Sequence, residues 1–180
     1  MSSNYLPDVV ELGHLIKYSI VTFLYKEGLL KNLPSREKRY IRRGKEIIFY
    51  YGLSACMYII EQRFGSDIAT ESAEIAFALF ADETFPKVRK AKDAQAKGKL
   101  SQKNWEHFLS IFAKFAKFSS GEISDPFGNW MRSVCKCLIV DISSDNFPLE
   151  PKIICYLNIF VGWFSLFSEF IKQHFLLPEN

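Results

Sequence analysis

The chain has 180 residues, of which 48% are hydrophobic and 16% aromatic, and it carries a formal net charge of +3. This composition excludes a disordered chain and is typical of one globular domain. The four cysteines do not indicate a disulfide scaffold in a chain whose N-terminus lacks a basic, apolar leader, so we expect reduced thiols and a cytoplasmic protein.

Hydrophobic residues recur at helical spacing along most of the chain, and no stretch alternates for long enough to predict a sheet. We expect a polar tail over residues 1–7 and one helical domain over residues 8–177. The fold class is therefore predicted to be all-α, a single compact domain of six or seven helices. The predicted helices cover about 8–27, 36–64, 68–81, a weak helix within 84–100, 102–118, 126–140 and 151–174.

Glycine, proline and serine residues mark the predicted helix ends. Ser35 and Ser101 are suited to be N-caps, and Pro126 is suited to the first turn of a helix. Gly65 is typical of the residue that follows a helix C-terminus. Gly44 lies inside the predicted helix 36–64 and is a candidate for a bend or a close helix contact.

The segment between Glu46 and Glu61 has 14 residues without a charge, and its apolar side chains point in every direction on a helical wheel. Such a helix must be surrounded by other elements, and it is too short to cross a bilayer. We therefore predict that helix 36–64 is central and buried, with helix 151–174 packed on it. The residues expected in the core are Phe49, Leu53, Met57, Ile60, Phe112, Phe160, Trp163 and Phe167.

The last predicted helix also contains 16 residues without a charge, from Ile153 to Ser168. Its polar residues gather in one arc of the wheel, and aromatic and aliphatic residues fill the other side. This pattern is typical of a helix that closes a soluble core. We do not expect a membrane partner.

Charge is distributed unevenly along the chain. Residues 31–45 and 87–103 together hold 14 of the 23 lysines and arginines but only two of the 20 acids. The remaining residues are therefore acidic overall, and the small net charge conceals two basic stretches. A basic helix face is typical of a nucleic-acid binder, and arginine's planar fork suits phosphate and carboxylate groups.

We predict that these stretches bind a polyanion, nucleic acid above all. The residues predicted to contact it are Arg36, Lys38, Arg39, Arg42, Arg43, Lys45, Lys87, Arg89, Lys90 and Lys92. Tyr40 and Trp105 are candidates for stacking on bases, or are core and boundary aromatics. An acidic protein surface or an anionic lipid would suit the same charges, and both stretches also fit an ordinary solvated surface.

A protein–protein adaptor, or a subunit of a larger complex, is the alternative function. In that case partner helices would use an exposed aromatic patch, and the basic residues would only solubilise or steer the protein. This alternative belongs to a different class of function and needs no anion site.

Catalytic and metal motifs are weak in this sequence. Glu11 and His14 have the spacing of one half of a di-iron site, but the second half is missing. Cys135 and Cys137 would point to different sides of a helix, which makes them a poor ligand pair. We therefore predict a non-enzymatic protein with no cofactor and no metal.

Overall fold

A computed structural model describes residues 7–84, 94–116, 126–142 and 149–175 of the chain. Every element in these ranges is helical, which confirms the predicted all-α class. The elements in these ranges are α1 (Val9–Tyr18), a π-helical segment (Ser19–Leu30), α2 (Ser35–Arg43), α3 (Lys45–Phe64), α4 (Ser66–Thr84), α5 (Ala94–Ala116), α6 (Pro126–Ile142) and α7 (Leu149–His174).

The first helix begins at a side-chain cap and ends at another. The Asp8 carboxylate accepts a hydrogen bond of 2.9 Å from the backbone N–H of Val10, which satisfies one of the free N–H groups at the start of α1. The helix continues without interruption into the π segment. There the Asn32 side-chain amide donates to the carbonyls of Glu27 and Gly28, at 2.7 and 2.9 Å. The helix therefore runs slightly beyond the predicted end near Gly28.

The predicted continuous helix over 36–64 is wrong, because the chain breaks it at Gly44 into α2 and α3. Gly44 has φ −91° and ψ 16°, outside the helical region. A Cβ atom on Gly44 would lie 2.5 Å from Cγ2 of Ile142 in α6. The expected bend and close helix contact are therefore both present at this glycine, since only a residue without a side chain lets α6 approach here.

Two predicted N-caps are also wrong. Ser35 is the first residue of α2 and follows Pro34, and no side-chain cap hydrogen bond is formed there. Ser101 lies inside α5, which begins at Ala94. The helix-forming alanines, glutamine and lysines before Ser101 extend the helix upstream, so helical propensity outweighs the capping preference of serine.

Helix α3 is the centre of the domain, because it contacts every other helical element that the structure describes. All ten residues from Ile48 to Met57 are buried. The residues predicted for the core are buried except Phe112, which is half-buried and packs against the edge of the core. Helix α7 contacts α3, and it is also fixed by a buried hydrogen bond of 2.9 Å from Trp163 Nε1 to Ser19 Oγ.

Small residues let α1 and α4 pack closely. The alanine-rich pattern of α4 favours a close approach of another helix, and of its alanines Ala69, Ala73 and Ala76 are buried whereas Ala78 is exposed. On the facing helix, a Cβ atom on Gly13 would lie 2.5 Å from Cγ2 of Ile75 and 3.2 Å from the carbonyl oxygen of Ser72. A side chain at Gly13 would therefore force the two helices apart.

Replacing Gly13 with alanine is expected to destabilise the domain, by about 1–3 kcal/mol, because overpacking outweighs the gain in helical propensity. Gly162 in α7 provides the matched control, since a Cβ atom placed there would meet nothing within 4 Å. Gly162→Ala is expected to stabilise the domain, by about 0.5–1 kcal/mol. Urea unfolding of both variants tests this, and equal effects of the same sign would contradict the close α1–α4 contact.

Three tyrosines are buried with their hydroxyl groups bonded to carboxylates. Tyr51 donates to Asp141 and Tyr50 donates to Glu46, both at 2.6 Å, and Tyr156 donates to Glu37 at 3.2 Å. Burial, followed by the neighbouring carboxylate, raises the pKa of each hydroxyl well above its ordinary value of 10.0. The folded chain therefore keeps three protons that an unfolded chain would release at alkaline pH.

The free energy of unfolding is expected to fall steeply above about pH 10. There the unfolded state binds fewer protons than the folded state, which costs about 1.4 kcal/mol per pH unit for each tyrosine, or about 4 kcal/mol for all three. Urea unfolding between about pH 8 and pH 11 measures this slope. Tyr50→Phe should reduce this slope by about 1.4 kcal/mol per pH unit, and replacing the exposed Tyr18 with phenylalanine should leave it unchanged. Equal slopes in these two variants would contradict the assignment.

Candidate nucleic-acid interface

The arginines of α2 share one exposed face. At about 100° per residue they fall within an arc of about 120° on the helical wheel. The opposite side of α2 carries the buried residues Glu37 and Ile41. The exposed arginines are Arg36, Arg39, Arg42 and Arg43.

The one acidic residue of α2 is withdrawn from this surface. Glu37 is only 8% exposed, and its Oε1 lies 3.2 Å from Nζ of Lys152 in α7. The hydroxyl group of Tyr156 donates to the other carboxylate oxygen at 3.2 Å. The Lys152 ammonium also lies 5.9 Å from the ring centroid of Tyr40. Glu37 thus joins α2 to α7, and the solvent-facing side of α2 carries no acid.

Lys45 lies in a different environment from the arginines. It is half-buried, and its ammonium lies 5.5 Å from the ring centroid of Phe80 and 5.9 Å from that of Tyr25. Burial lowers the pKa of Lys45. The structure therefore places this predicted contact residue at the junction of α3 with the π segment, while Lys38 stays half-exposed on α2.

Two lysines and one acid act on Lys45 from neighbouring helices. After burial, the charge of Glu83 has the largest effect and raises the pKa of Lys45, whereas the charges of Lys26 and Lys17 lower it. Lys17 forms an ion pair with Glu83, whereas Lys26 is exposed. Burial raises the pKa of the Tyr25 hydroxyl, and the charge of Arg42 partly opposes this effect. Lys17 and Lys26 were missed by sequence reasoning because they lie outside both basic stretches.

The second basic stretch is not joined to α2 in the described residues. Its predicted contact residues Lys87, Arg89, Lys90 and Lys92 lie outside those ranges. Further along, Lys99 and Lys103 are exposed on α5. Over its described residues α5 contacts α3, α4 and α6 but not α2.

The two aromatics considered for base stacking are both half-buried. The Trp105 ring packs against Phe77 and Phe108, with centroid distances of 5.2 and 4.9 Å. The Tyr40 ring faces the Lys152 ammonium. Trp105 is thus a boundary aromatic of the core, which was the alternative interpretation of this residue.

The weak catalytic candidates gain no support from the structure. Within the described ranges, no group of three or more histidine, cysteine or acidic residues could hold a metal ion. Glu11 and His14 are exposed on α1. Burial raises the pKa of the Cys56 thiol and raises that of Cys135 to about 12, which disfavours the reactive thiolate form.

Helix α7 has an apolar surface that is partly uncovered. Over Pro151–His174 it is long and apolar enough to cross a bilayer by length and composition, and 33% of its most apolar window is buried. The buried side includes the predicted core residues Phe160, Trp163 and Phe167. The large apolar side chains that face solvent on α7 are Ile154, Leu166 and Phe170.

No protein-family model, curated protein or solved structure matches the chain. The class of protein is therefore defined by its fold and surface alone: an all-α domain with a cationic helix face. An all-α fold does not imply a function, so the function must be argued from the residues of that face.

Proposed function

We propose that this protein is a non-enzymatic binding protein that engages nucleic acid through the exposed arginines of α2. The observation that carries the proposal is the withdrawal of Glu37 into its ion pair with Lys152, at 3.2 Å. It leaves the exposed side of α2, which carries Arg39, Arg42 and Arg43, without an acid of its own helix. Such a face attracts a polyanion over a distance and binds it on contact.

The dimensions of α2 match a dense polyanion. A helix of nine residues is about 13 Å long, and duplex DNA carries one negative charge per about 1.7 Å of its axis. All four arginines can therefore meet phosphates at the same time. Phosphate contacts of this kind give affinity without sequence information, so we expect binding without strong sequence preference.

Binding of the wild-type protein is expected to depend steeply on salt. Four phosphate contacts correspond to a slope of log K against log salt of about −3 to −4. Raising salt from about 50 mM to about 200 mM should then weaken binding about 50- to 150-fold. Fluorescence polarisation with labelled DNA and RNA measures this, and absence of binding to both at the lower salt would overturn the proposal.

A protein–protein adaptor is the second candidate function, and the exposed apolar residues of α7 favour it. Leu166 is 72% exposed, and Ile154 and Phe170 are exposed on the same helix. An adaptor would be isolated with a protein partner instead of nucleic acid. Replacing Leu166 and Phe170 together with glutamate should release that partner, whereas changes to the α2 arginines should not.

A further inference from the structure

A cavity of about 310 Å³ lies between the C-terminal part of α3 and that of α7. Its volume is at the lower end of the range for small-molecule sites, about 300–1,000 Å³. The cavity is separate from the arginine face of α2. Glu37 of α2 meets α7 at Lys152, whereas the α7 residues that line the cavity begin at Phe164, about 18 Å further along the helix.

The cavity has an apolar floor and a cationic rim. Ile59 of α3 and Phe164 of α7 both line it, and each is only 8% exposed. Two basic residues also line it, the half-buried Arg63 and the exposed Lys172. An apolar floor beside a cationic rim fits a molecule that has both an apolar body and a negative charge.

Acidic side chains are kept away from this cavity. Among the described residues, no aspartate or glutamate lines it. Glu61 and Glu169 lie within three positions of Arg63 and Lys172 in the sequence, yet neither belongs to the lining. An anion that enters the cavity would therefore meet two cationic residues and no carboxylate in its lining.

The ends of α3 and α7 are joined beside the cavity. Nε and Nη2 of Arg63 both donate to the carbonyl oxygen of Phe175, at 3.1 and 2.9 Å. The rings of Phe64 and Phe175 also meet edge to face, with centroids 6.3 Å apart. The cavity is thus formed before any ligand arrives, which lowers the cost of binding. Because the Arg63 guanidinium is engaged by α7, we assign the anion to the Lys172 ammonium.

We infer that this cavity binds a small amphipathic carboxylate, with its apolar body on Ile59 and Phe164 and its charged head at Lys172. Burial of the body supplies most of the affinity, and the charge-assisted hydrogen bond selects an anion. A mostly apolar lining with a few polar groups that fix orientation is typical of small-molecule sites. This site needs no contact with α2, so it goes beyond the proposed function and does not depend on it.

The test titrates isotope-labelled protein with hexanoate at constant ionic strength and follows the backbone amide signals by NMR. Saturable shifts are expected at Gln62 and Ser168, which line the cavity, and none at Arg132 of α6. Hexanol has a similar apolar body without the charge, and acetate has the charge without the body. Each should bind at least about 10-fold more weakly than hexanoate.

Two variants locate the binding site. Ser168→Leu fills the cavity, and Ser165→Leu is its matched control, because Ser165 is exposed on the same helix and does not line the cavity. Lys172→Met removes the charge and keeps most of the stem. Ser168→Leu and Lys172→Met should each weaken hexanoate binding at least about 10-fold, whereas Ser165→Leu should leave it unchanged.

Circular dichroism checks that each variant is folded, and Lys172→Met keeps the test decisive if Ser168→Leu is not. Shifts that do not saturate, equal affinity for hexanoate and hexanol, or unchanged affinity in Lys172→Met would each overturn this inference. None of these outcomes would affect the proposed function, because that function is tested with oligonucleotides and with the arginines of α2.

Discussion

Replacing Arg36, Arg39 and Arg43 together with glutamate is expected to abolish nucleic-acid binding while leaving the fold intact. Each arginine lost removes a charge-assisted hydrogen bond worth about 1.5–3 kcal/mol, so the triple variant should bind about 10³-fold more weakly or worse. All three side chains are exposed on α2, outside the buried run of α3. Polarisation measures the affinity, and helical content and Tm check the fold.

A control variant distinguishes the loss of contacts on α2 from the change in the net charge of the whole protein. Arg132, Lys136 and Lys172 are exposed on α6 and α7, and their replacement with glutamate changes the net charge by the same amount. This control should weaken binding far less, since long-range effects of exposed charges are screened beyond about 8–10 Å at physiological salt. An equal loss of affinity in both variants would show that α2 is not the contact surface.

Removing the Glu37 carboxylate is expected to destabilise the domain strongly. Glu37→Ala would remove the carboxylate that pairs with the Lys152 ammonium, in a site where the lysine side chain is only 14% exposed. Breaking a buried pair in this way costs about 3–5 kcal/mol. Tyr156 would also lose the acceptor of its hydroxyl group. Urea unfolding measures the loss.

The double variant Glu37→Leu with Lys152→Met tests whether this cost comes from burying the Lys152 charge without the Glu37 carboxylate. Replacing both partners with apolar groups should recover most of the stability, because the desolvation of two ions is removed together with their attraction. It should also retain nucleic-acid binding, since the arginines of α2 are unchanged. A cost below about 1 kcal/mol for Glu37→Ala would show instead that solvent screens the pair.

Much of the fold could be predicted from the pattern of apolar residues. The uncharged run before Glu61 had no polar side, and α3 accordingly contacts every other described element. The break at Gly44 could only be proposed as a candidate, because the decisive contact is made with Ile142, about a hundred residues away. A helical wheel contains no information about such a neighbour.

The candidate interface was predicted only in part. Arg36, Arg39 and Arg43 follow one another at helical spacing, i, i+3 and i+7, which predicts a shared face, and the structure exposes all three. The sequence could not show that Glu37 pairs with Lys152, because a glutamate among arginines is equally typical of a surface pair within one helix. Nor could it show that Lys45 turns toward the rings of Phe80 and Tyr25. Both arrangements depend on how α2 packs against distant helices.

The central claim is that the exposed arginines of α2 contact nucleic acid, and covalent footprinting of arginine side chains tests it most directly. The protein is modified with an arginine-specific dicarbonyl reagent, with and without a saturating oligonucleotide, and each site is quantified by mass spectrometry. The account predicts protection of Arg36, Arg39, Arg42 and Arg43, with an unchanged rate at the exposed Arg132 of α6. Unchanged modification of the four α2 arginines in a saturated complex, or equal protection of Arg132, would contradict it.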